Sequence, residues 1–252
     1  MERVLVIPAA GRGSRLHAEQ PKALVPVAGR PMLEHLLAMH RGRVTRFVIV
    51  IAPVALEQFR QYVRTRDEVI GLAVQDTPTG MLDAILASRP HIISNPPERI
   101  LITWCDQIAV STATTERLAA RAGASNAPAL VFPTITVNHP YIHFERDSVG
   151  RIVDVLQRRE GDPMPEHGES DMGLFDLSVS TFVGDLTEFA SALGPAGGTG
   201  ERNFLPFIPW LASRRIVETV PGTSAIETVG VNTPDELARV QEHLTKLGDA
   251  SR

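Results

Sequence analysis

The first residues whose types and spacing suit a reaction lie in the stretch AAGRGSRLHAEQPK, residues 9–22. It follows the apolar run RVLVIP at 3–8. A strand that runs into a glycine-rich turn leaves backbone N–H groups where they can surround a phosphate, and Gly11 and Gly13 fit that role. Lys22 closes the stretch. All but two of the 25 lysines and arginines are arginine, so a retained lysine is informative. A compact ammonium, rather than a planar fork, suits a phosphorus centre whose charge shifts during displacement. Two familiar phosphate loops do not apply. The dinucleotide fingerprint needs glycine at 16, where Leu16 stands, and the Gly-Lys-Ser/Thr of a Walker A loop is absent.

Other chemistries find less support. In LITWCDQ, Asp106 falls just beyond a strand, where it reads equally as a turn residue or a ligand. Among the eight histidines, His17, His139 and His143 read as surface or pocket-edge residues and not as metal ligands. No Gly-x-Ser-x-Gly stretch occurs, and Cys105, the only cysteine, has neither a disulfide partner nor a case as a nucleophile.

The elements that must position these residues follow from hydrophobic patterning. Buried strands are expected at 3–8, 46–52, 70–75 and 99–104, separated by the helical patterns PMLEHLLAMHR, ALEQFRQYVRTR and GMLDAILASR. This alternation predicts an α/β fold, with a Rossmann-like, mixed but mainly parallel sheet and helices on both faces. From 128 the segments PALVFPTITV, YIHFERD and RIVDVLQR come without long helices between them and predict a small antiparallel extension. GDPMPEHGESD at 161–171 reads as a loop able to close over a ligand, and GPAGGTGE at 194–201 as a second loop. EFASAL and NFLPFIPWL are apolar at helical spacing, hence core or a subunit contact, which leaves a homo-oligomer open. Near the end, Thr233, Pro234 and Glu236 form a capping box that starts a helix.

Residues 8–37, PAAGRGSRL…PKALVPVAGRPMLEHLL, resemble the nucleotide-binding region of the sugar-1-phosphate nucleotidyltransferases. That family's pattern runs Ala-Ala-Gly-x-Gly-Thr/Ser-Arg, then Pro-Lys, then Gly-x-Pro-Met-Leu. The resemblance implies the nucleotide-diphospho-sugar transferase fold. It implies that Ala9, Ala10, Gly11 and Gly13 cradle the nucleotide, and that Arg15 and Lys22 hold the nucleotide phosphates and the incoming sugar phosphate. Gln75, Thr79 and Gly80 match the turn that reads the base, where an amide can donate and accept at once. Asp106, here in Cys105-Asp106 instead of the family's Gly-Asp, and Asn232 match its Mg²⁺ ligands. One carboxylate and one amide suffice for Mg²⁺ when waters and substrate phosphates complete the octahedron.

Acceptor recognition departs from the pattern. Tyr141, Gln157, Asp171 and Gly173 fall in the substrate-binding segments, with Tyr141 balanced between the pocket and the core. Gln157 and Asp171 stand where the N-acetylglucosamine-1-phosphate uridylyltransferases carry a glutamate and an asparagine, which changes the hydroxyls or amides that can be paired.

Bulk properties agree. A 252-residue chain is expected to form one nucleotidyltransferase domain, with a nucleotide-binding half at 1–127 and an acceptor half at 128–252. The net charge of −4 argues against a broad nucleic-acid surface. The longest apolar stretch, FVIVIAPVAL, is about half of what spans a bilayer, and the run before Arg12 is too short for a secretory signal, so a cytoplasmic location without membrane contact is expected. No hexapeptide repeat follows the capping box, so no second acetyl-transfer activity is expected. The expected reaction is Mg²⁺-dependent transfer of a nucleoside monophosphate from an NTP (UTP, CTP or dTTP) to a sugar 1-phosphate, releasing pyrophosphate. Two alternatives are cytidylyl transfer to a non-sugar phosphate and a catalytically silent nucleotide-sugar sensor.

Overall fold

Strand β1 (Arg3–Pro8) forms the middle of the molecule, with every residue buried. The computed structural model describes residues 1–11, 13, 16, 20–194 and 199–250, the last three as backbone only. The two-residue strands β2 (Pro26–Val27) and β3 (Arg30–Pro31) pair with each other and lead into helix α1 (Met32–His40). Strand β4 (Arg46–Ile51), helix α2 (Leu56–Val63), strand β5 (Ile70–Val74), helices α3 (Met81–Ala87) and α4 (Arg89–Ile93), strand β6 (Arg99–Thr103) and helix α5 (Thr112–Ala122) complete the first half. Strand β1 pairs in parallel with β4 and β6, and β4 with β5. This is the strand-helix alternation the patterning predicts. One helical pattern, GMLDAILASR, divides into α3 and α4, with Ser88 between them and Pro90 in the first turn of the second.

The second half adds β7 (Leu130–Asn138), β8 (Ile142–Arg146), β9 (Ile152–Gln157), β10 (His167–Asp171) and β11 (Leu174–Ser178). Helices α6 (Leu186–Ala192) and α7 (Phe207–Ala212), strand β12 (Val217–Pro221) and helix α8 (Pro234–Ala250) follow. The main sheet runs β10-β7-β11-β6-β1-β4-β5, with β12 parallel to β7 on that strand's other flank. Strand β11 is antiparallel to β6 and carries the sheet across into the antiparallel part, while β8 and β9 form a separate antiparallel pair. The antiparallel extension expected from 128 onward thus consists of β7, β10 and β11 at one end of the main sheet and the separate β8–β9 pair. The stretch 161–171 is not loop throughout: His167–Asp171 pair antiparallel with β7.

Alternation along β1 explains the two-sided core. Val4 and Val6 face one layer with Val48, Val50, Ile100, Leu82 and Ile85. Leu5 and Ile7 face the other with Ile49, Leu33, Leu36, Phe59 and Leu118. Phe189, Phe204, Phe207 and Leu211, from the two segments left between core and subunit contact, are buried in the first layer. Among the described residues no helix is long and apolar enough to cross a membrane.

Candidate active site

The carboxyl ends of the parallel strands lie along one edge, and the chain leaves each into a candidate residue. Ala9 follows β1 and donates its N–H to Val50 O (2.7 Å). Gln75 follows β5 and donates its N–H to Ile51 O (2.9 Å). Asp106 lies three residues beyond β6. Open α/β sheets bind ligands at this edge because the strand-to-helix turns there present free backbone groups.

Lys22 begins a short 3₁₀ turn, Lys22–Leu24, and is buried despite its charge. Its Nζ donates to Asp106 Oδ2 and to Asn232 Oδ1 (2.7 Å), residues that lie 84 and 210 positions away in the chain. The turn above it requires glycine. Gly13 has φ +61°, and a Cβ there would come within 2.9 Å of Lys22 Cβ. Ala9 and Ala10 are buried at the start of the same turn, and Gly11 has open space around its Cα. Arg15, the second cation expected here, lies outside the described residues, as does part of the 194–201 stretch.

Asn232 is oriented from two sides. Glu236 Oε2 accepts from the N–H groups of Asn232 and Thr233 (2.9 Å each), and Glu236 N–H donates to Thr233 Oγ1 (3.3 Å), the expected capping box. Asn232 Nδ2 donates to Gly230 O (3.1 Å), which turns the amide oxygen toward Lys22. Val231 N–H donates to Asp106 O (3.1 Å) and docks this loop on the strand end. Gly230 makes the approach feasible, since a Cβ there would lie 3.1 Å from Asp106 Oδ2.

A carboxylate oxygen and an amide oxygen that already share one cation form a hard-oxygen pair of the kind a divalent ion uses. Asp106 and Asn232 therefore fit Mg²⁺. Among the described residues no group of three or more His, Cys, Asp or Glu is gathered to hold a metal, so protein ligands alone would not close the shell. Cys105 beside them is inert: burial, reinforced by the Asp106 charge, pushes its thiol up to about 12.

The remaining candidates are distributed around this centre. Gln75 Nε2 donates to Gly80 O (3.0 Å), so the amide and the following turn form one unit, with Thr79 exposed at its tip. Gln157 is buried at the end of β9, and Tyr141 is half exposed beside β8. Gly173, at φ +60°, packs beneath Trp104, whose N–H donates to Gly173 O (2.9 Å). Asp171 is fully buried, and its Oδ2 accepts from Gly173 N–H (2.8 Å), holding that turn instead of standing open. Sequence reasoning passed over Trp104, Gly230 and Arg202, the last of which donates its backbone N–H to Thr79 O (2.7 Å). A glycine two residues before the asparagine of a capping box was the available signal for the second; the other two act through contacts distant in sequence.

Burial raises the Asp171 carboxyl from its ordinary 3.8 to about 6, against the two backbone N–H groups that oppose the shift. The folded chain then holds a proton that the unfolded chain has released, so stability falls as pH rises from about 4 to about 6 and stays lower above. Asp171→Asn keeps an acceptor for Gly173 and removes the charge. The variant should match the parent near pH 4 and gain on the order of 2 kcal/mol over it by pH 7.5, read by urea denaturation at both pH values.

A doubly covered, mainly parallel sheet that gathers a glycine turn, an ammonium, a carboxylate and an amide oxygen at its carboxyl edge defines a nucleotidyltransferase-type α/β domain. The chain belongs to the family of MobA-like NTP transferase domains, whose model matches residues 5–169. It is 30% identical over 246 residues to the bifunctional protein GlmU of Cupriavidus taiwanensis, covering 94% of this chain and 51% of that one. The bifunctional protein GlmU of Burkholderia pseudomallei strain K96243 is 28% identical over 254 residues, covering 98% and 53%. The chain thus spans about half the length of these curated relatives. Its fold is similar to the solved inositol-1-phosphate CTP transferase from T. maritima, with a TM-score of 0.71, 13% identity, and 97% and 96% of the two chains covered.

Proposed function

We propose that this chain transfers a nucleoside monophosphate from an NTP to a sugar 1-phosphate and releases pyrophosphate. The observation that carries the reading is the meeting of Lys22 with Asp106 and Asn232 at the sheet's carboxyl edge. An acceptor phosphate oxygen attacks the α-phosphorus, and pyrophosphate departs in line. The nucleophile is already an anion, so no general base is required. Lys22 neutralises charge that builds on the phosphate oxygens, Arg15 adds a second cation, and the Gly11–Gly13 turn supplies N–H donors. Asp106 and Asn232 hold Mg²⁺, which supplies further charge neutralisation on the nucleotide phosphates. Gln75, Thr79 and Gly80 read the base of UTP, CTP or dTTP. Tyr141 and Gln157 line the acceptor side, and Asp171 shapes it through the turn it holds at Gly173. Residues 1–127 form the nucleotide half and 128–252 the acceptor half of one domain that works in the cytoplasm.

A second reading, cytidylyl transfer to a non-sugar phosphate, is favoured by one observation. Asp171, at the position expected to meet the sugar, gives a carboxylate oxygen to its own turn. A pyrophosphate-release screen that pairs each NTP with sugar 1-phosphates and with polyol phosphates, in Mg²⁺ and in chelator, separates the two. Release confined to one NTP with a sugar 1-phosphate, and lost in chelator, is expected. Release only with non-sugar acceptors would replace the first reading with the second, and ligand binding with no release from any pair would overturn both.

A further inference from the structure

The segment 199–203 bridges two turns that the proposed function assigns to different substrates. At one end Arg202 straddles the base-reading turn: its N–H donates to Thr79 O (2.7 Å), and its carbonyl accepts from Leu82 N–H (3.0 Å). Gly80 lies between these bonds at φ +125°, where a Cβ would come 2.5 Å from both Arg202 N and O. No side chain fits there, so the backbone of Arg202 sets the turn's position. The Arg202 guanidinium is fixed in its turn by the Asp83 carboxylate and by Ala190 O.

At the other end the same segment holds the turn that follows β9. Glu160 Oε2 accepts from Thr199 N–H (2.9 Å), and Oε1 accepts from Thr199 Oγ1 (2.9 Å) and Asn203 Nδ2 (2.8 Å). Arg159 and Glu201 form a two-pronged pair at 3.0 and 2.7 Å. Gln157, a proposed acceptor residue, is the residue from which this turn starts. Just beyond the segment, Phe204 is buried edge-on to Trp104, with ring centroids 5.9 Å apart.

We infer that Glu160 is a positioning residue: through the 199–203 strap it holds the base-reading turn in register with the acceptor turn, so that base selectivity depends on a residue that touches no base. The arrangement is built for this. Three hydrogen bonds to one carboxylate fix the strap at the acceptor end, and two backbone hydrogen bonds around a glycine transmit that position to the base end. The inference rests on the proposed assignment of Gln75, Thr79 and Gly80 to the base and of Gln157 to the acceptor.

The test measures nucleotide Kd by calorimetry for each NTP, with and without acceptor, in the parent, Glu160→Ala, Glu160→Gln and Gln75→Ala. Glu160→Ala should reduce discrimination between the preferred and the next-best NTP about tenfold, and weaken the mutual enhancement of nucleotide and acceptor binding by a similar factor. Its melting temperature should stay near that of the parent, and Glu160→Gln, which keeps one acceptor oxygen, should recover part of the loss. If Gln75→Ala abolishes discrimination while Glu160→Ala leaves it unchanged, the strap inference is overturned and the base assignment stands. If Gln75→Ala has no effect, the base assignment itself fails and the inference with it. Should Glu160→Ala not fold, Asn203→Ala removes a single strap bond and must show the same loss in smaller measure, or the inference falls.

Discussion

Lys22→Ala should lower turnover by on the order of 10²-fold or more with little change in melting temperature, by analogy with the loss of one electrostatic stabiliser at a reacting centre. The ammonium is buried, aimed at two oxygens that suit a divalent ion, and rooted beneath the glycine turn. Its removal leaves the Asp106 carboxylate without that partner, but the carboxylate keeps 13% of its side-chain surface for solvent, so the fold should tolerate the change. Lys22→Arg should not rescue activity, because a planar fork cannot take the place of a point charge on this stem. Steady-state pyrophosphate release beside a thermal melt decides the matter. Near-full turnover in the alanine variant would remove Lys22 from the reaction.

The largest effect on stability is expected at the opposite edge of the sheet. Asp176, on β11, is fully buried between Arg99 and Arg3, whose Nε lies 3.0 Å from Oδ2. Arg99 also donates to Pro128 O (3.1 Å) and to Asp176 O (3.0 Å), so its guanidinium has nowhere else to go. Asp176→Ala leaves two cations in a low-dielectric interior with no counter-charge, which should cost about 3–5 kcal/mol. Urea denaturation measures the loss. Turnover by the folded fraction should change little, because the pair sits where β1 and β6 begin while the site lies where they end. A loss below about 1 kcal/mol would mean that the two guanidiniums find solvent or another partner, the outcome ordinary for exposed pairs.

What was legible in the sequence was local. The glycine turn, Lys22 and the capping box at Thr233 each depend on residues within a few positions of one another, and strand alternation announced the first half of the sheet. The meeting of Lys22 with Asp106 and Asn232 came only through resemblance, because no nearby pattern states that three distant segments converge. HGESD at 167–171 reads as loop by composition, yet it is a strand because β7 offers it a pairing edge, a case of tertiary context overriding propensity. LFDLS and VETVP became β11 and β12 for the same reason, with neither standing out as a strand by its own pattern. Asp171 aligned with a substrate-binding position, but its carboxylate holds the backbone at Gly173, a preference set by the φ of that glycine and by burial, not by residue type. The need for glycine at 80 likewise comes from a backbone more than a hundred residues away.

The clasp of Gly13 on the root of Lys22 also governs how that side chain moves. Its Cβ and Cγ lie 2.9 and 3.4 Å from where a side chain at 13 would begin, so room to swing is left mainly to the outer carbons and the nitrogen. A free lysine gives up as much as about 2 kcal/mol of rotamer entropy when it is ordered, and one restrained at its base has already surrendered part of this. The charge can therefore follow a phosphate through a short arc as bonds are exchanged, without the whole chain having to be caught anew at each turnover.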